Sequence, residues 1–309
     1  MKYVYGPVPS RRLGRSLGID PLPSKTCNYQ CIYCQLGKTT CFTNRRRNFY
    51  PKEEIISEIK TAIELNEDNI DYVTFVGSGE PTLYKDLKEL IQYTNKVSNK
   101  PICVITNGSL LNKEEVIDAL LLTDVVLPSL DAGNELLFKK VNRPHPSLKF
   151  DKIIQGFIDF RKNFKGKFWI EIMLMKEIND SRNQLKSIKK TIDLIQPDRI
   201  DINVPIRPPT EKWVKIPDKQ IFSRLNEIFK EYNNITFPEQ GVFLTFSPDF
   251  EKELLSVIKR HPMRQEQIIM NFPSNNLSEN HLKQLLYNLE SERKIKRKIY
   301  NDQIFWMLY

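Results

Sequence analysis

Lys25-Thr-Cys-Asn-Tyr-Gln-Cys-Ile-Tyr-Cys-Gln-Leu-Gly37 carries Cys27, Cys31 and Cys34 in the spacing C-x3-C-x2-C, with an aromatic residue, Tyr33, directly before the last thiol. Three thiolates on one short loop suit a four-iron cluster, and three ligands leave one iron without a protein sulfur. An iron with an open position binds a substrate or cofactor, so such a cluster can do chemistry as well as carry electrons. The competing reading is a zinc site that recruits Cys41 as a fourth thiolate. Structural zinc sites usually pair two C-x2-4-C knuckles from separate parts of the chain, and no second knuckle is present. Disulfides fit poorly with five cysteines, an odd number, and with an N-terminus that lacks a secretory signal. Cys103 sits in an apolar, strand-like run and reads as a small buried hydrophobe. Cys41 reads as an incidental thiol beside the loop.

Around this loop the sequence alternates strand-like and helix-like segments. A first strand is expected at Ser16–Asp20, followed by helices at Lys52–Asn66, Leu83–Asn95 and Lys113–Leu122, separated by strands at Asp71–Val76 and Ile102–Thr106. A strand at Val125–Leu130, helices at Glu135–Val141 and Asp151–Arg161, a strand at Phe168–Met175 and a helix at Arg182–Ile195 come next. Arg199–Val204 then reads as a strand and Asp218–Tyr232 as a helix. Strands separated by helix-length segments imply βαβ units and a parallel sheet. Six units are too few to close an eight-stranded barrel, so the expected fold is α/β, a partial (β/α)6 TIM-like barrel. In such folds the chemistry sits at the C-terminal ends of the strands, where the cysteine loop falls.

The pattern changes after Pro248. Helices at Leu254–Arg260, Met263–Met270 and Ser278–Glu292 precede two alternating runs, Lys294–Tyr300 and Gln303–Leu308, around Asn301-Asp302, a good two-residue hairpin turn. Three short helices and a hairpin give a small C-terminal winged-helix-like domain. The expected division is a barrel over residues 1–234, an adapter over 235–249 and a winged helix-turn-helix-like domain over 250–309.

Polar motifs end several of the barrel strands. Gly77-Ser-Gly-Glu-Pro81 follows the second strand, where glycines let the backbone approach a ligand and Glu80 brings a carboxylate to the barrel mouth. Thr106 and Asn107 end the third strand, Ser129 and Asp131 the fourth, and Asn203 and Val204 the sixth. Glu171 and Met173, alternating on the fifth strand, either line the pocket or fill the barrel. The run Gly6-Pro-Val-Pro-Ser-Arg-Arg-Leu-Gly-Arg-Ser-Leu-Gly18 reads as a rigid basic loop leading into the first strand.

The cysteine spacing, with these motifs in this order, resembles the radical S-adenosylmethionine (SAM) superfamily. Residues 1–40 resemble a prokaryotic group within it known only as Fe–S oxidoreductases, distantly similar to the wyosine-forming and molybdopterin-synthesis enzymes. The resemblance implies a [4Fe-4S] cluster on Cys27, Cys31 and Cys34. It implies SAM held by Tyr33, Gly77, Gly79, Glu80, Thr106, Asn107, Ser129, Asp131, Asn203 and Val204. It also implies an external one-electron donor of the ferredoxin or flavodoxin type. After Cys34 only Cys41 and Cys103 remain, which cannot ligate a second cubane, so a single-cluster enzyme is expected. Methylthio and sulfur-insertion enzymes, maturases with cysteine-rich extensions and ferredoxin-bearing activases are thereby disfavoured.

The net charge of +9 is concentrated at the N-terminus, where residues 1–50 carry nine Lys and Arg against Asp20 alone. Such a basic region draws in an anionic partner, with Arg11, Arg12, Arg15, Arg45, Arg46 and Arg47 as candidate substrate contacts. A winged helix commonly places a helix in a nucleic-acid groove, and Arg293-Lys-Ile-Lys-Arg-Lys298 offers cations for phosphates. RNA, in particular tRNA, is therefore the favoured substrate. A peptide or protein, a phosphorylated metabolite, or a non-catalytic Fe–S DNA-binding regulator are the alternatives. His145, between two prolines, reads as an exposed residue or a substrate contact, and His261 and His281 read as structural. No window approaches 18 uninterrupted apolar residues, so no membrane partner is expected and a cytoplasmic setting is.

Overall fold

The computed structural model describes residues 1–243, 249–271 and 278–309. The chain opens with strands β1 (Val4–Ser10) and β2 (Gly14–Ile19), then two-residue strands β3 (Thr26–Cys27) and β4 (Cys41–Phe42) within the cysteine segment. There follow α1 (Lys52–Asn66), β5 (Tyr72–Phe75), α2 (Leu87–Val97), β6 (Ile102–Thr106), α3 (Glu114–Leu120) and β7 (Val125–Pro128). Next are α4 (Glu135–Asn142), α5 (Phe150–Asn163), β8 (Lys167–Met173), α6 (Arg182–Ile195), β9 (Arg199–Asn203), α7 (Ile221–Ile228) and β10 (Asn233–Asn234). One eight-stranded sheet has the order β1-β2-β5-β6-β7-β8-β9-β10. Every neighbouring pair from β2 to β10 is parallel, and the sheet curls into the expected partial barrel.

Strand alternation sorts the side chains. Leu17, Val73, Phe75, Val104, Val126, Phe168, Ile170 and Ile202 face outward into the main core under the helices. Leu13, Cys103, Val125, Leu127 and Trp169 pack inside the barrel as its floor. Cys103 is therefore the buried apolar residue expected. Above that floor the inward positions turn polar, with Ser16, Thr74, Glu171 and Asn203 lining an open space.

Two strands of the eight-stranded sheet escaped the sequence reading, as did the two-residue strands β3 and β4. Val4–Ser10 is not a loop but a strand, antiparallel to β2, with its register shifting between Tyr5 and Val8. Pro7 and Pro9 conceal it, because prolines are tolerated only on an edge strand or at a bulge, and β1 is both edge and bulged. β10 is two asparagines paired with Asp201 and Ile202, too short and too polar to register as a strand. The helix expected from Leu83 begins at Leu87, since Pro81–Leu83 forms a 3-10 turn and Tyr84 is extended. α7 spans only Ile221–Ile228 of the expected Asp218–Tyr232.

The C-terminal part contains α8 (Phe250–Ile258), β11 (Met263–Arg264), α9 (Gln265–Asn271), α10 (Glu279–Ser291), β12 (Ile295–Tyr300) and β13 (Gln303–Leu308). Its three-stranded antiparallel sheet, in the order β11-β13-β12, and its three helices follow the plan of a winged helix. Asn301 and Asp302 both take positive φ, 49° and 60°, as a two-residue hairpin turn requires. The adapter expected over 235–249 lies partly outside the described residues.

The C-terminal core is not self-contained. Tyr5 and Val8 of β1 pack with Leu254, Val257, Met263, Leu289 and Trp306. Arg260, at the end of α8, donates to Asp20 at 2.8 Å and to the Lys2 carbonyl at 2.7 Å, and its guanidinium stacks over the Tyr5 ring. Asp20 and Arg260 are both almost fully buried. Removing one partner of such a pair strands the other charge, at a cost of about 3–5 kcal/mol. Arg260→Ala should therefore lower the urea midpoint sharply. Lys283→Ala, which breaks only an exposed pair with Glu279, should leave it nearly unchanged.

Candidate active site

The cysteine loop leaves the C-terminal end of β2 and returns along the barrel mouth. Its backbone is tied to the glycine loop after β5, with Glu80 N–H donating to the Thr26 carbonyl at 3.0 Å and a bridge between Thr26 and Gly79. A Cβ at Gly79 would run into the Thr26 carbonyl, and one at Gly77 into the Asp20 carboxylate. The glycines are thus required first by contact with the cysteine segment, and the same loop also lines the cavity.

That cavity, of about 310 Å³, runs between the cysteine loop and the barrel interior. Cys27, Cys31 and Cys34 all line it, and none is in a disulfide. Burial pushes the Cys27 thiol up to about 12, with the Glu80 charge adding to the effect. Burial, then the neighbouring Cys27 and Asp131, raises Cys31 well above the usual thiol range. Burial raises Cys34 as well. Three adjacent, half-buried thiols, each costly to ionise alone, suit a cationic iron centre that would take the place of their protons. Amides already point at two of the sulfurs: Tyr29 N–H and Asn107 Nδ2 at Cys27, 3.4 and 3.7 Å, and Asn142 Nδ2 at Cys31, 3.6 Å. Such donors stabilise sulfur-borne charge. Cys41 lies outside the cavity lining, its sulfur 3.8 Å from Arg47 Nη2, so it does not join the other three. Among the described residues no group of three or more His, Cys, Asp or Glu is placed to hold a single metal ion.

Of the residues expected at SAM, Tyr33, Gly77, Gly79, Asn203 and Val204 line the cavity. The others stand behind that wall and hold it. Glu80 is buried and accepts from Thr82 Oγ1 and Thr106 Oγ1, both at 2.6 Å, and from Asn107 N–H at 2.6 Å. Thr82 N–H donates to it as well, at 3.0 Å, and burial raises its carboxyl against these four donations. Asp131 accepts from Tyr33 Oη at 2.6 Å, Asn142 Nδ2 at 2.7 Å and Met173 N–H at 2.9 Å, and burial lifts its carboxyl to about 6. Asn142 thereby connects Asp131 to the Cys31 sulfur. Ser129 forms a backbone bridge with Glu171 at the end of β7. Glu171 and Met173 both line the cavity, which resolves their two readings.

The six candidate arginines separate. Arg11 and Arg12 line the cavity, Arg12 paired with Glu171. Arg15 forms an exposed pair with Asp71 at 2.9 Å, at the opposite ends of the strands from the cysteine loop. Arg46 donates to the carbonyls of Thr82, Tyr84 and Lys85, Arg47 stacks over Phe49, and Arg45 is exposed. His145 bonds Ser147 Oγ at 2.8 Å, away from the cavity. Sequence reading missed Lys25, Ser78, Arg207, Glu239 and His261, which also line the cavity. Arg207, Glu239 and His261 come from beyond the sixth strand, and nothing local in their sequence marks them.

Comparison with known proteins agrees with this arrangement. The family description "Radical SAM superfamily" matches residues 22–187. The UPF0026 protein MJ1312 of Methanocaldococcus jannaschii is 36% identical over 313 residues, spanning 99% of this chain and 96% of its own. A protein named GTPase Obg from Brachyspira hyodysenteriae is 41% identical over 304 residues, which is 97% of this chain but 44% of that protein. Streptococcus suis SuiB bound to S-adenosylmethionine shares the fold at a TM-score of 0.51 and 22% identity, over 71% of this chain and 49% of its own. The chain belongs to the radical SAM superfamily of enzymes and, within it, to the UPF0026 family. Membership implies an iron–sulfur cluster and SAM.

Iron content separates the cysteines. Alanine at Cys27, Cys31 or Cys34 should abolish stable iron incorporation after anaerobic reconstitution, measured by iron and sulfide assay. Cys41→Ser and Cys103→Ala should bind iron like the wild type.

Proposed function

We propose that this protein reductively cleaves SAM at a single [4Fe-4S] cluster and abstracts a hydrogen atom from an anionic substrate. The observation that carries the reading is one cavity lined both by Cys27, Cys31 and Cys34 and by Arg11, Arg12 and Arg207. When bound, the reduced cluster would supply an electron to SAM, whose cleavage to methionine would provide the carbon radical for hydrogen abstraction. The chain's own work is placement. Cys27, Cys31 and Cys34 would hold the cluster, and the Gly77–Gly79 backbone and Asn203 would offer polar groups to SAM at the cavity wall. Asp131 fixes Tyr33 and the start of the Met173–Asn203 wall. No side chain needs to act as a general base in the radical step.

The C-terminal domain made RNA the favoured substrate from sequence. One observation favours the smaller alternative, a phosphorylated or otherwise anionic metabolite. Within Arg293–Lys298, Lys294 pairs with Glu251 and Glu292, Arg297 with Glu290, and Lys298 donates to the Pro209 carbonyl. Cations already engaged in this way are poorly placed to gather phosphates along a groove.

The reading is tested by reconstituting the cluster anaerobically, adding dithionite and SAM, and quantifying 5′-deoxyadenosine. Wild type should form it, and Cys31→Ala should not. Zinc in place of iron, or equal formation by both proteins, contradicts the proposal.

A further inference from the structure

Arg11 differs from the other cavity guanidiniums. Arg12 is paired with Glu171, and Arg207 with Glu239. Arg11 donates to Asn203 Oδ1 at 2.8 Å and to the carbonyls of Ile235 and Phe237, and has no carboxylate partner among the described residues. Burial, reinforced by the Arg12 charge, lowers it to about 9. A half-buried cation whose hydrogen-bond partners are all neutral gains from an anion that joins it.

A second group in the same cavity has a ring nitrogen with no partner among the described residues. His261 follows the buried Arg260 at the end of α8, and its ring packs 5.8 Å from that of Tyr5. It lines the same cavity, and its Nδ1 is buried with no hydrogen-bond partner among the described residues. Burial and the surrounding guanidiniums of Arg207, Arg260, Arg12 and Arg11 hold it neutral, far below its usual range. A neutral imidazole has one donor and one acceptor to give to a bound molecule. The histidine is held in place from both sides. Gln35, next to Cys34, donates to the Arg260 carbonyl at 3.2 Å and accepts from Arg207 Nη1 at 2.9 Å, while Arg207 Nε donates to the Pro262 carbonyl at 3.1 Å.

We propose that the C-terminal domain completes the substrate site: a small molecule bearing a carboxylate or phosphate binds between Arg11 and His261, its anionic group on Arg11 and a polar group on the imidazole. This rests on the radical SAM reading for what happens to the molecule, not for its binding. The domain is then part of the active site's wall and its helices are not the substrate-reading element.

The test titrates reconstituted, SAM-loaded protein without reductant, using inorganic phosphate and succinate as separate probes, by calorimetry. At least one probe should bind the wild type, and which one binds tells a phosphoryl from a carboxylate ligand. Arg11→Gln should weaken that binding about tenfold or more, as loss of a charged hydrogen bond does. His261→Phe, which keeps a ring against Tyr5, should weaken it several-fold, and His261→Gln should restore part of the loss. Lys283→Ala should bind as wild type. The proposal is overturned if neither probe binds wild type, or if both variants bind undiminished. It is also overturned if bulk tRNA binds at about 0.15 M salt independently of Arg11 and His261 but is lost in Lys296→Ala. Absence of 5′-deoxyadenosine from the wild type would sink the radical reading alone, leaving the anion result to stand or fall separately.

Discussion

A single buried carboxylate, Asp20, joins the parts of this protein that have to meet. It ends the first parallel strand and accepts from Ser78 N–H and Oγ of the glycine loop, at 3.2 and 2.8 Å, and from Arg260 Nε of the C-terminal domain. Strand end, glycine loop and C-terminal helix are thereby referred to one point. The cysteine loop starts a few residues later, so its position over the barrel follows from the same anchor. A charge this deeply buried is tolerated because its partners are complete. Arg260 meets Asp20, the Lys2 carbonyl and the Tyr5 ring together, so the three contacts fix one position for the end of α8 against the barrel.

The barrel is completed by charge as well. β1 stands at one edge of the curled sheet and β10 at the other, and Arg11 reaches from the β1–β2 turn to Asn203 and Ile235 beside β10. The inward face is apolar at the floor and polar above it. The barrel mouth is thus a partly enclosed space in which polar side chains are set among apolar ones over an apolar floor.

Local signals made much of this legible. The cysteine spacing, the alternation of strand and helix, and the Asn301-Asp302 turn each depend on residues within a few positions of one another. β1 was hidden because Pro7 and Pro9 forbid a central strand and the sequence does not announce an edge. The clustered arginines 45–47 attracted attention by number, yet Arg46 is spent on three carbonyls and Arg47 on Phe49. Arg207, Glu239 and His261 carry no pattern at all: Arg207 and Glu239 lie in irregular segments after β9, and His261 enters the cavity only through the docking of the C-terminal domain. Glu80, Thr106, Asn107 and Asp131 were legible as strand-end polar groups, but the donation of Thr106 and Asn107 to Glu80, and of Tyr33, Asn142 and Met173 to Asp131, depends on how neighbouring segments align.

The account turns on three thiols leaving one iron free for SAM. Low-temperature electron paramagnetic resonance of the dithionite-reduced, reconstituted protein, before and after SAM, tests it most directly. The account predicts the signal of a reduced [4Fe-4S] cluster whose g-values shift when SAM is added. A spectrum unchanged by saturating SAM, or a preparation holding zinc and no paramagnetic cluster, would contradict it.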